Sequence, residues 1–86
     1  MPQVSRFYGI VIAMYYNDHN PPHFHVKYAG DSATVEIASL ALLEGSVPRR
    51  VYNLVLEWAS AHRQELWDNW DRARQGLALA PIAPLE

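Results

Sequence analysis

No cysteine occurs in the chain. Both a disulfide framework and a thiolate zinc site are therefore excluded, two devices by which small proteins make up for a small core. Any metal would have to take histidine, aspartate or glutamate ligands. The few glycines stand singly, so there is no glycine-rich phosphate loop, and neither a nucleophile elbow nor an HExxH helix is present. Charge of neither sign dominates. Seven Lys+Arg against nine Asp+Glu give a formal charge of −2, which argues against a surface that attracts nucleic acid as a whole. The basic clusters are short: Arg49 with Arg50, and Arg72 with Arg74. Long apolar runs are missing as well. The stretch MPQVSRFYGIVIAMYYND is too short in its apolar part to span a bilayer, and it lacks the charged start and small-residue cleavage site of a signal peptide. The expected location is cytoplasmic, without a membrane partner.

What the chain does have is apolar and aromatic content. Half of its 86 residues are hydrophobic and only 19% are charged, too apolar for disorder. A chain of this length is expected to form a single domain over residues 1–86, and such a domain buries only somewhat more than roughly 60% of its unfolded surface. Part of the apolar surface is then expected at a subunit interface, with a homodimer favoured.

The pattern of residues predicts an α+β fold: a three-stranded, or with one short addition four-stranded, antiparallel sheet over about residues 7–37, one long helix over about 48–75, and an extended apolar tail over 77–86. Phe7 to Tyr16 is β-branched and aromatic and reads as the first strand, apolar on both faces. Asn17 to Pro22 reads as a turn. His23 to Tyr28 alternates cleanly, with Phe24, Val26 and Tyr28 on one face and His23, His25 and Lys27 on the other. Ala29 to Asp31 is a tight connection, and a third strand follows from about Ala33 to Ile37, with Thr34 and Glu36 outward. Ser39 to Gly45 suits a short strand or a loop. Ser46 and Pro48 mark the helix start and Gly76 its end. Val51, Val55, Trp58, His62, Leu66 and Ala73 form the apolar stripe between them. Trp58 is assigned to the core, and Trp67, Trp70, Tyr8, Tyr15 and Tyr16 to an interface.

The turn DHNPPHFH is the chemical segment. Residues two apart on a strand point to the same face, so His23 and His25 can share one ion, with His19 or Asp18 returned by the Pro21–Pro22 turn as a further ligand. A divalent metal such as zinc is the cofactor this implies, with an open position for water or substrate. The same residues also suit metal-free acid–base catalysis on a phosphodiester, with His19, His23 and His25 exchanging protons and Lys27 stabilising negative charge. A scaffold role, with imidazoles bonded to turn carbonyls, is the commoner fate of hairpin histidines. His62, in the middle of the apolar stripe, is expected to sit apart from the others.

The segments SRFYGIVIAMYYNDHNPPHFHVKY, EGSVPRR, LVLEWASAHRQELWDNWDRARQG and LAPIAPL, in that order, resemble a widespread bacterial family catalogued as domain of unknown function four-one-six-zero. The resemblance spans nearly the whole chain. It places Asp18, His19, Asn20, Pro21, Pro22, His23, Phe24 and His25 in the family's turn motif, and Glu57, Trp58, His62 and Arg63 in its helix motif, with no established catalytic role attached. It implies a stand-alone bacterial protein of a toxin–antitoxin-like gene pair, acting through a small protein partner encoded nearby. The functional expectations are thus an interaction module of that kind, a histidine-dependent hydrolase acting on RNA, or a histidine-based metal-binding module.

Overall fold

Two-residue turns set the topology of the sheet. Tyr8 and Gly9 both take positive φ, 52° and 78°, and Ala29 and Gly30 do the same at 48° and 91°. Such turns match the right-handed twist of the strands they join. In the computed structural model, which describes residues 2–86, they close two hairpins: β1 (Gln3–Phe7) with β2 (Ile10–Ala13), and β3 (His23–Tyr28) with β4 (Asp31–Glu36). A fifth strand, β5 (Leu42–Ser46), completes an antiparallel meander in the order β1-β2-β3-β4-β5 among the described residues.

The fold is α+β, as expected, but its parts are more numerous. Phe7–Tyr16 is not one strand, because Gly9 admits a left-handed conformation that reverses the chain at Tyr8–Gly9. The pairing Phe7↔Ile10 and Ser5↔Ile12 then puts both short strands on one core face. The undecided Ser39–Gly45 stretch is a connection as far as Ala41 and joins β5 from Leu42, pairing Thr34↔Glu44 and Ser32↔Ser46 across a bulge next to Val35. The sheet therefore runs over residues 3–46, not 7–37.

The single long helix is also corrected. Among the described residues there are two helices, α1 (Arg49–Ala61) and α2 (Arg63–Arg74), broken at His62 with φ −122° and ψ 22°. An unbroken helix of this length would measure roughly 40 Å in a molecule whose longest extent is 33 Å. The break lets α2 turn back over the sheet, and Leu66, Asn69, Trp70 and Ala73 are buried as a result. Glu65, in the first turn of α2, meets the His62 ring at 2.5 Å, a place where a carboxylate also complements the helix dipole.

The core lies between one sheet face and the two helices. Ile10, Ile12, Phe24, Val26 and Val35 pack against Val51, Val55, Trp58 and Leu66, all effectively solvent-free. Trp58 is central, its ring centroid 5.5 Å from that of Phe7 and 6.1 Å from that of Phe24. Trp70, expected at an interface, is 4% exposed and stacks inside the chain on His23.

The tail, residues 77–86, folds back over this core without regular structure. Asn69 clamps it with both ends of its amide: Nδ2 donates to the Ala80 carbonyl and Oδ1 accepts from the Ala80 N–H, each at 2.8 Å. The Trp58 indole donates to the Ala83 carbonyl at 2.8 Å. The Ile82 N–H donates to the Val4 carbonyl at 2.8 Å, so the tail borders β1.

Asn69 is fully buried, and its replacement by Ala leaves two backbone groups of Ala80 unpaired. N69A is expected to lower stability in urea unfolding by about 1–3 kcal/mol and to speed amide exchange at Ala80 and Ile82 before it does so in β3. Unchanged exchange at those two amides would contradict the clamp.

Candidate functional site

Three side chains meet where β3 begins. His23 opens the strand and His25 follows two residues on. Asp18 is brought to them by the loop of residues 14–22, which turns at Asn17 with φ 60°. That loop is fastened at its far end by the Ile37 N–H, which donates to the Pro22 carbonyl at 3.0 Å. His23 Nδ1 lies 2.7 Å from the Pro21 carbonyl oxygen. A carbonyl only accepts, so Nδ1 carries the hydrogen and Nε2 faces Asp18. His23 Nε2 is 2.8 Å and His25 Nε2 3.0 Å from the same atom, Oδ2 of Asp18. One ligating atom from each of the three residues falls within 4.8 Å of the other two.

Aromatic rings hold the imidazoles in place. The Trp70 ring lies 5.4 Å from that of His23, and the Tyr15 ring meets His25 edge-on at 4.5 Å. His23 is only 3% exposed. Asp18 is mostly covered as well, at 14% of its side chain. Burial alone would raise its carboxyl. The hydrogen bond from His25, the charges of His23 and His25, and the His19 backbone N–H together outweigh that and hold it below its ordinary value.

The remaining sequence-predicted residues divide around this cluster. His19 stands at the rim, its side chain 80% exposed and its Nδ1 3.5 Å from Asp18 Oδ1. Its ring centroid is 5.5 Å from that of His23. Lys27 lies further along β3, its ammonium 5.8 Å from the centroid of the Tyr15 ring. His62 is apart, against Trp58 and Glu65.

A groove of about 320 Å³ opens at the cluster, bounded by His23 and His25 on one side, Leu43 and Glu44 on the other, and Thr34 between. A second hollow, about 200 Å³, shares His25, Thr34 and Glu44 with it and continues past Ser32 to Lys27. The far wall, Leu43 and Glu44, escaped the sequence reading because the strand that carries it could not be told from a loop. Thr34 was legible, since alternation places it outward, and the register sets it opposite His25. Trp70 was missed because only the break at His62 brings it back to β3.

The set is two imidazoles and one carboxylate, a donor combination suited to a divalent first-row ion. Ligands 2.0–2.2 Å from such an ion lie about 3 Å or a little more from one another, close to the two nitrogen-to-Oδ2 separations at Asp18.

The chain belongs to the family described as Domain of unknown function (DUF4160), which its residues 9–71 match. No curated protein and no solved structure matches it. Among the described residues, no helix is long and apolar enough to cross a membrane.

A carboxyl held below its ordinary 3.8 in the fold contributes stability that is complete above that value and is lost as pH falls through the folded one. In EDTA, the stability gap between wild type and D18N in urea unfolding should be widest above that value and shrink below it. A gap that stays constant on going from about pH 6 to about pH 2 would show that the carboxylate is not held by its histidines.

Proposed function

We propose that this chain is a metal-binding protein that holds one divalent transition ion, zinc being the type case, through Asp18, His23 and His25, with coordination positions left for water or a ligand. The observation that carries this reading is the convergence of His23 Nε2 and His25 Nε2 on Asp18 Oδ2. The Pro21 carbonyl supports it. A metal-ligating histidine characteristically donates its other ring N–H to a carbonyl or carboxylate, which fixes the tautomer and aims the lone pair. His23 has that arrangement through Nδ1. His19, at the rim, is a candidate additional ligand, since rotation about its side chain moves the ring without disturbing the fold.

Metal-free acid–base chemistry on RNA finds less support in the same geometry. Both nitrogens of His23 are engaged, one by a carbonyl and one by a carboxylate, so His23 has none left for a substrate proton. The interaction reading, including a homodimer or a toxin–antitoxin-like partner, draws on a different feature. β5 is exposed at every position, and Leu42 and Leu43 on it are 46% and 40% exposed, an edge suited to pairing with another chain. Co-expression with the neighbouring gene tests that reading. A complex that survives gel filtration for wild type and dissociates for L42E/L43E is the expected outcome.

For the metal, protein prepared without a histidine tag should bind one equivalent of zinc, nickel, manganese or iron(II) in titration calorimetry. The ion should raise the unfolding free energy by about 2.7 kcal/mol at a hundredfold excess over Kd. H25A, at a partly exposed position, is expected to keep the fold and lose at least about tenfold in affinity. Wild type that gains neither heat nor stability with any of these ions removes the reading.

A further inference from the structure

The groove at the cluster has a chemically uneven shape. On adjacent strands, His25, Thr34 and Glu44 form one cross-strand row, His25↔Thr34 and Thr34↔Glu44. The outer members are long and the middle one is short. At a strand spacing of about 4.8 Å, a long side chain from each outer strand leans over a gap floored by threonine. That gap is the about 320 Å³ groove. It is large enough for a water and a small molecule and smaller than most drug-sized pockets. Glu44 therefore lines the same groove as His23 and His25, across the threonine from them. The groove then runs on along β3 to Lys27 through the hollow bounded by Ser32 and Gly45, so its far end carries a cation. One end is thus suited to a metal and a carboxylate base, and the other to a negative group of a ligand.

We infer that this groove is a hydrolytic site for small esters bearing one negative charge, in which Glu44 takes a proton from a water held by the ion at Asp18, His23 and His25. The inference rests on the metal-binding reading. The water oxygen, having given its proton to the Glu44 carboxylate, forms a bond to the acyl carbon, and the carbonyl oxygen takes up the negative charge beside the ion. The C–O bond to the leaving alcohol then breaks, and the alkoxide takes the proton back from Glu44. Ester and water become acid and alcohol, with no other reactant. Thr34 offers a hydroxyl along the path, and Lys27 meets the negative group of the ester. The residues fall into three roles: Asp18, His23 and His25 hold the ion, Glu44 moves the proton, and Lys27 selects the substrate's charge.

The test uses the zinc-loaded full chain with two activated esters, neutral 4-nitrophenyl acetate and anionic mono(4-nitrophenyl) succinate. The readout is the rate lost on adding EDTA, which removes background turnover by surface histidines. Activated esters need little pocket affinity to be cut by a metal-held hydroxide, so wild type should show a metal-dependent rate with both. E44Q, at an exposed position, is expected to bind zinc with unchanged affinity in calorimetry and to lose about a hundredfold in kcat, the lower range for a general base. K27M should lose about fivefold more in kcat/KM for the succinate ester than for the acetate, as for one partly exposed charge pair. Zinc binding without any EDTA-sensitive turnover overturns the hydrolytic inference and leaves the metal reading standing. So does an E44Q rate equal to wild type. Equal losses for K27M on both esters overturn the charge selection. Failure to bind zinc at all removes the metal reading itself, a result the calorimetry reports separately.

Discussion

One carboxylate oxygen organises the outer end of the sheet. Oδ2 of Asp18 meets His23 at 2.8 Å and His25 at 3.0 Å, and it does so while mostly covered. A buried imidazole with an unpaired nitrogen costs about 1–3 kcal/mol, and His23 is only 3% exposed among Trp70, His25 and the loop. Asp18 on one nitrogen and the Pro21 carbonyl on the other remove that cost. The loop of residues 14–22 has no regular hydrogen bonding of its own, and these contacts fix where it sits. Placing Asp18 there also draws His19 to the rim and leaves the groove open toward β5.

The architecture behind the site serves that placement. β3 is the middle strand of five, so the histidines stand on the most constrained backbone in the molecule. Its opposite face, Phe24 and Val26, is locked into the core beneath Trp58. A one-residue slip in register would exchange the two sets, so the hydrophobic core specifies the position of His23 and His25 as firmly as any contact at the site. The break at His62 has a similar reach. It turns α2 so that Trp70 covers His23, and it aligns Asn69 to hold the tail. Core packing, helix direction and the site are thus linked through few residues.

The parts that were legible in the sequence are those governed by local chemistry. The period-two alternation of His23–Tyr28 gave the faces of β3. Asn17, Asp18 and the two prolines marked the loop, and the helical stripe placed Val51, Val55, Trp58 and Leu66 inward, with His62 away from the other histidines. What escaped is set by tertiary context. Gly9 sits in a run so rich in β-formers that a reversal is masked, although a left-handed Tyr8–Gly9 pair suffices to make one. No proline or glycine interrupts the helical pattern near His62, so the break there reflects the length available over the sheet. Glu44 belongs to a stretch, LALLEGS, with no decisive period, and its relation to His25 exists only through the Thr34 register.

The central claim is that Asp18, His23 and His25 form one ion site. Anomalous diffraction from a crystal of the zinc-loaded protein, recorded on both sides of the zinc edge, tests it most directly. The account predicts a single strong peak about 2.0–2.2 Å from Asp18 Oδ2, His23 Nε2 and His25 Nε2, with the His23 Nδ1 bond to the Pro21 carbonyl intact. A peak elsewhere, with the two imidazoles still hydrogen-bonded to Asp18, would contradict it and leave the cluster a scaffold for the loop.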